Sequence, residues 1–364
     1  MQSGDFLLNQ NAPTASTSAL QELPADYEPI RLAWFYKPPA SGNMEVLVEN
    51  YDLFILTRQD EQERDTITGN QGDIDVLQYL LFGAIMDPGS CTDQPWHNQV
   101  AENVGDFCEI EMNHPDWFLH GVGGNLLSND HGYVLMDPAN PGWRDFWIER
   151  ADRGHEVHGW NGVFLDNVEA SLHKRYLTGL IPVDYSTDSA YQEAVEDNLR
   201  YLYESYFQPN ELPLYANIIS LTDPSAWYRY VQYLDGAMIE NFAVGWSRGD
   251  ESPSEWEMHL SLAEDTQAMG KDIILVSQGE AFDHERETFA LASYLLVNNG
   301  RAFFRYTHQD NYDLHWWYDN YTLDLGVPLD NRYQKGDTWV RDFTNGRVVV
   351  HPAIWQAVIE VNEP

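Results

Sequence analysis

Apolar residues in this chain recur in short continuous blocks: IRLAWFY (30 to 36), YDLFIL (51 to 56), VLQYLLF (76 to 82), GVFLD (162 to 166), PLYANII (213 to 219), DGAMIE (235 to 240), DIILVSQ (272 to 278) and RAFFRY (301 to 306). A strand covered on both faces reads this way, because it has no solvent side on which to place polar residues. Between the later blocks the pattern changes to a period of about 3.6 residues. In TDSAYQEAVEDNLRYLYESYF, residues Tyr191, Ala194, Val195, Leu199, Leu202 and Tyr206 share one helical face. SPSEWEMHLSLAEDTQAMG opens on a capping box of Ser252 and Glu255, has Pro253 at its first helical position and stops at Gly270. ERETFALASYLLVNNG ends in the same manner at Gly300, and NPGWRDFWIERADRG starts on Asn140 and Pro141 and turns Trp143, Phe146 and Trp147 inward.

Strands alternating with helices predict a wound parallel sheet. Eight strands between Ile30 and Tyr306 predict an α/β protein of the (β/α)8 TIM barrel class, whose typical size is about 250 residues. Residues 1–28 read as a flexible spacer, 29–310 as the catalytic barrel and 311–364 as a C-terminal extension. Residues 83 to 133 are rich in Gly, Asp, Asn and His and carry no period. They predict a long loop insertion after the third strand, lying over the barrel mouth. TWVRDFTNGRVVVHP reads as a β-hairpin with Asn345 and Gly346 as its turn, a small β appendage on the barrel.

Charge narrows the partners. With 58 acidic against 20 basic residues and a net charge of -38, a phosphate backbone or an anionic membrane surface is repelled at long range. Nucleic acid is excluded on that ground, and no run approaches the roughly 20 apolar residues of a membrane span. Only four lysines occur, Lys37, Lys174, Lys271 and Lys335, as suits a solvated acidic surface exposed to salt. The opening MQSGDFLLNQNAPTASTSALQELP lacks a basic region followed by an apolar core, and its composition resembles the spacer that follows a removed export signal or lipid anchor. A secreted or cell-surface location is therefore expected. The two cysteines, Cys91 and Cys108, are 17 positions apart; a disulfide in an oxidising compartment and a pair of free buried thiols both remain open.

In such a barrel, catalytic groups stand at the C-terminal ends of strands. Asp166 ends the fourth strand within FLDN, and Glu240 ends the sixth within MIEN. These strands are next-but-one neighbours, so both acids point into one mouth. A pair of carboxylates there is what glycosidic cleavage needs, one to protonate the leaving oxygen and one to attack the anomeric carbon or activate water. Alone, Asp166 could equally cap the following turn and Glu240 pair with an arginine at the rim; the matched pair favours catalysis. Glu240, shielded by aromatics and repelled by Asp166, is expected to have a raised pKa. Trp34, Tyr36, Trp246 and Tyr306 could offer flat faces to sugar rings. Gln78, Asn167, Asn217, Gln278 and Glu280 are candidates for hydroxyl contacts, and His120 lies in a loop that could reach the mouth. No phosphate loop, dinucleotide fingerprint or metal-ligand spacing is present, so no cofactor and no metal is expected.

WFLHG (117 to 121), VLMDPANPGWRDFW (134 to 147), GVFLDNVEAS (162 to 171) and RDFTNGRVVVHP (341 to 352) together resemble the hypothetical glycosyl hydrolase family fifteen barrels. These are similar to glycoside hydrolase family 114, the endo-α-1,4-polygalactosaminidases. The resemblance implies that Asp166 is the nucleophile and Glu240 the general acid/base of a retaining mechanism. The expectation is thus a glycosidase acting on a polysaccharide or oligosaccharide. Its rivals are a non-catalytic carbohydrate-binding barrel at the cell surface and a metal-dependent hydrolase, the latter disfavoured because the strand tips carry almost no histidine.

Overall fold

The computed structural model describes residues 23–25, 27–70, 74–129, 131–246 and 251–362. The chain begins with β1 (Ala33–Phe35), α1 (Met44–Asn50), β2 (Leu53–Leu56), α2 (Glu61–Asn70) and β3 (Asp75–Leu81). An excursion follows, in which α3 (Asp106–Asn113) lies between the paired strands β4 (Ala84–Met86) and β5 (Tyr133–Leu135). Then come α4 (Pro141–Glu156), β6 (Val163–Glu169), α5 (His173–Thr178), α6 (Asp188–Leu202), β7 (Leu214–Ile219), α7 (Pro224–Val231) and β8 (Gly236–Ile239). The barrel ends with α8 (Pro253–Ala268), β9 (Asp272–Gln278), α9 (His284–Val297) and β10 (Ala302–Thr307). Last are β11 (Tyr333–Lys335), β12 (Thr338–Phe343), β13 (Gly346–His351) and β14 (Gln356–Val361).

β1, β2, β3, β6, β7, β8, β9 and β10 pair in that order, every pair parallel. A parallel bridge from Leu32 to Phe304 brings β10 back to the start of β1. This is the (β/α)8 TIM barrel, and its strands coincide with the eight apolar blocks. Alternation along the strands sorts the side chains. Phe35, Ile55, Leu77, Phe164, Tyr215, Met238, Val276 and Phe303 belong to the core inside the barrel. Their neighbours Trp34, Phe54, Val76, Leu165, Ala216 and Ile239 join the larger core beneath the helices.

The helix signals act as the sequence suggests. Ser252 and Glu255 form a reciprocal capping box on α8, and Asn140 accepts from the Trp143 amide at 3.2 Å at the start of α4. Trp143 and Trp147 are wholly buried, while Phe146 is only partly so. The C-terminal strands form a four-stranded antiparallel sheet packed on α9. Its attachment is polar as well as apolar: buried Arg341 on β12 donates to the carbonyls of Leu295 (3.1 Å), Leu296 (3.2 Å) and Asn298 (2.8 Å), satisfying acceptors that the end of α9 leaves open.

Three expectations need correcting. The hairpin turn is Thr344 and Asn345, since Phe343 pairs with Gly346. Gly346 serves the sheet instead, where a Cβ would lie 2.2 Å from the carbonyl oxygen of Glu360. The insertion is not structureless, for it contains α3 and the β4–β5 pair, and Cys91 and Cys108 are joined in a disulfide. The fourth strand does not stop at Asp166 but runs on to Glu169. The spacer assigned to residues 1–28 lies almost wholly outside the described residues.

Candidate active site

An irregularity in β6 falls at Asp166 and Asn167. The β6–β7 register shifts between Leu165 and Val168, with Asn167 in the left-handed region at φ 58°. Such a bulge adds a residue to one strand and re-aims its side chains, and asparagine tolerates the conformation better than most residues. Ser220 and Ala243, beyond the tips of β7 and β8, also have positive φ, at 56° and 62°. Three of the five described non-glycine residues with positive φ thus stand at one side of the mouth, the others being Glu211 and Trp355, and strain at such positions is common where function constrains the chain.

A single amide ties the two acids together. Asn217 Nδ2 donates to Asp166 Oδ1 at 3.0 Å and to Glu240 Oε2 at 2.7 Å. The two oxygens can be no farther apart than the sum of those lengths, under about 6 Å. The remaining oxygens have their own donors: Tyr79 OH and Asn167 Nδ2 (3.0 Å) on Asp166 Oδ2, and Tyr312 OH (2.9 Å) on Glu240 Oε1. Asp166, Asn217 and Glu240 each follow a barrel-interior residue, Phe164, Tyr215 and Met238, by two positions. They therefore form the uppermost inward layer of adjacent strands.

Burial, and then the charge of Asp166, push Glu240 up to about 7 against the hydrogen bonds from Asn217 and Tyr312 and the positive charge of Lys174. An acid poised there can hold a proton near neutrality and give it up in a reaction. Burial and then Asp166 raise Tyr79 well above the usual phenol range, and burial and then Glu240 do the same to Tyr312. Both phenols thus remain hydrogen-bond donors toward the carboxylates.

Two chambers meet at this pair. One, of about 400 Å³, is lined by Phe35, Tyr36, Tyr79, Tyr133, Phe164 and Trp96 among others. The second, of about 860 Å³, opens over the ends of β7 and β8 toward α8 and includes Lys174, Trp246, Glu251 and Asp310. Asp166, Asn167, Asn217, Glu240, His131 and Tyr312 border both. The insertion after β3 supplies Trp96, Asn98, Asn129, His131 and Tyr133 to the aromatic chamber, so it does cover the mouth.

Of the residues singled out in the sequence, Asp166, Glu240, Tyr36, Asn167, Asn217 and Trp246 border these chambers. The others do not. Trp34 faces outward on β1, buried beneath the Arg305 guanidinium, which lies 4.0 Å from its ring centre. Gln78 faces α4, where a Cβ on Gly154 would lie 2.5 Å from its Oε1. Gln278 is fully buried and donates to the main-chain oxygen of Glu240 at 3.4 Å, supporting the acid from behind. Tyr306 packs outward against Trp316 and Tyr318 and donates to the Glu280 carbonyl at 3.4 Å, which leaves neither Tyr306 nor Glu280 in the cleft. His120 is taken up by a bridge to Leu126 inside the insertion. Tyr79 and Tyr312 escaped sequence reasoning. The signal for Tyr79 was its spacing, two positions beyond the interior residue Leu77, where Gln78 is one position out and so on the opposite face.

Among the described residues, no group of three or more His, Cys, Asp or Glu is placed to hold a metal ion, and no helix is long and apolar enough to cross a membrane. Residues 71–347 match the sequence profile of hypothetical glycosyl hydrolase family 15. No curated protein matches the chain. Among solved structures, a noncanonic maltogenic alpha-amylase from Thermotoga neapolitana is 12% identical, with 89% of this chain and 86% of that one covered and a TM-score of 0.47. An alpha-amylase from Geobacillus thermoleovorans is 10% identical over 88% of this chain and 86% of that one, with a TM-score of 0.48. A xylosidase from Aspergillus niger is 12% identical over 79% of this chain and 45% of that one, with a TM-score of 0.46.

Proposed function

The chain belongs to hypothetical glycosyl hydrolase family 15 and is a glycosyl hydrolase, and from that premise we propose that Asp166 and Glu240 cleave the glycosidic bonds of a polysaccharide or oligosaccharide with retention of configuration. Asp166 attacks the anomeric carbon while Glu240 gives its proton to the departing oxygen, leaving a glycosyl ester on Asp166. Glu240, now a carboxylate, takes a proton from a water that attacks the same carbon, releasing the sugar and restoring both groups. The bridging amide of Asn217 carries this reading. A retaining pair stands about 5 to 5.5 Å apart, whereas an inverting pair needs about 6.5 Å or more to admit a water, and one nitrogen bonded to an oxygen of each acid supports the closer spacing. The raised Glu240 suits the proton donor. Asn217, Tyr36, Asn167 and Trp246 are assigned to the sugar or to its positioning.

We also assign the protein to the cell surface or the exterior, because the Cys91–Cys108 disulfide persists in oxidising compartments. Reducing-end release from a panel of neutral, acidic and amino-sugar polysaccharides tests the reaction. The native protein should release ends, and Asp166→Asn should not. Full activity in that variant would end the assignment, and release by no panel member together with retained glycan binding would favour a binding protein.

A further inference from the structure

The cleft does not end at the aromatic chamber. A third cavity of about 210 Å³ lies beyond it, and Tyr36, Trp96 and Asn98 line both. Its other walls are Lys37, Thr57, Gln59 and His97, so it joins the rings of Trp96 and Tyr36 to several hydrogen-bonding groups, the composition that holds a sugar by its face and its hydroxyls. Trp96 is 57% exposed, although a tryptophan in a loop would ordinarily find cover.

The loop that carries it is fastened at several points. Cys91 is bonded to Cys108 on α3, Gln94 Nε2 donates to the Glu102 carbonyl at 2.6 Å, and the Glu102 carboxylate meets both His97 Nδ1 (3.1 Å) and the Arg58 guanidinium. Asn98 Nδ2 donates to Tyr133 OH at 3.0 Å. An exposed aromatic on a loop already ordered binds with little further entropy cost.

We propose that Trp96 and this outer cavity form a separate glycan subsite, which takes a pyranose ring one or more units away from the ring at the carboxylates. The inference rests on the glycosidase reading for the direction of the chain. Glu240, on the β8 side, protonates the leaving group, which occupies the large chamber bordered by β7, β8 and α8. The glycone occupies the aromatic chamber, and the sugars beyond it reach Trp96. The insertion thus sets how many units of the glycone the protein recognises.

Binding and turnover test it separately. Glu240→Gln protein, alone and combined with Trp96→Ala or Trp96→Phe, is titrated calorimetrically with maltodextrins, cello-oligosaccharides, oligogalacturonates and chitosan oligomers from disaccharide to octasaccharide. In the series that binds, affinity should rise with length in Glu240→Gln, and Trp96→Ala should lose about tenfold of that gain, the worth of one stacked ring. Trp96→Phe should keep most of it, disaccharide affinity should fall less than octasaccharide affinity in Trp96→Ala, and matching circular dichroism spectra of the three proteins control for folding. Equal length dependence with and without the Trp96 ring, or binding of no oligomer in any series, would overturn the subsite. Trp96-dependent binding by a native protein that releases no reducing ends would uphold the subsite and bring down the hydrolase. Turnover indifferent to Trp96→Ala on long and short substrates alike would do the reverse.

Discussion

Glu240 and Glu287 are both pushed up to about 7, and burial is the largest cause for each. Each also accepts from an asparagine amide and a hydroxyl, but their surroundings differ. Glu287 lies on α9 with no exposed surface; its Oε2 accepts from Asn320 at 3.0 Å and Thr288 at 3.3 Å, and its Oε1 has no hydrogen-bond partner among the described residues. Glu240 faces two chambers, shares an amide donor with a second carboxylate and has a cation, Lys174, within electrostatic reach. A raised carboxyl is thus a report of desolvation. It becomes a chemical group only where a second acid and room for a substrate accompany it.

The largest effect that could break this distinction is on turnover. Glu240→Gln should lower kcat by about 10³, the scale of general acid catalysis, while Glu287→Gln should leave it within about twofold. Steady-state rates on any cleaved polysaccharide decide it, and comparable losses in both variants would erase the contrast. Next is Asn217→Ala, which removes the amide shared by both acids; a hydrogen bond to a charged group such as the Asp166 carboxylate is worth about 1.5 to 3 kcal/mol. Its kcat/KM should fall about 100-fold. Because Asn217 holds Glu240 down, the alkaline limb of its pH profile should also move upward.

In the native protein that limb should lie near 7. Above it, kcat/KM should drop about tenfold per pH unit as Glu240 loses the proton it must donate, and a profile flat to pH 9 would contradict the assignment. The smallest effect concerns stability. Glu287 keeps a proton in the folded state that it loses in the unfolded state between its ordinary range and about 7. The folded state binds more protons there, so stability falls as pH rises through that window, by at most ~1.4 kcal/mol per pH unit for one group. Denaturant titrations of Glu287→Gln should show a shallower dependence than the native protein.

The same two acids show what a sequence discloses. Each barrel strand was legible because coverage on both faces leaves a continuous apolar run, and Asp166, Asn217 and Glu240 stood out because a polar side chain at the end of such a run needs a reason. Glu287 did not stand out, since a glutamate in the first turn of a helix is ordinary. Continuous runs also conceal which face is which. With no polar side to mark it, Gln78 drew attention by its amide, while Tyr79, the residue bonded to Asp166, resembled core. Tyr312 comes from the irregular segment after β10 and meets Glu240 across 72 positions, a contact with no local signature. The insertion was legible as an insertion only. Its internal order depends on the disulfide and on Arg58 reaching Glu102 from another loop.

One amide bonds to both acids, and we propose that the pair acts by a covalent, retaining mechanism. Proton NMR of the first sugar released, recorded before mutarotation, tests it most directly. The product should carry the anomeric configuration of the bond that was cut. The opposite anomer would mean that a water attacks directly, which would contradict the assignment of Asp166 as nucleophile.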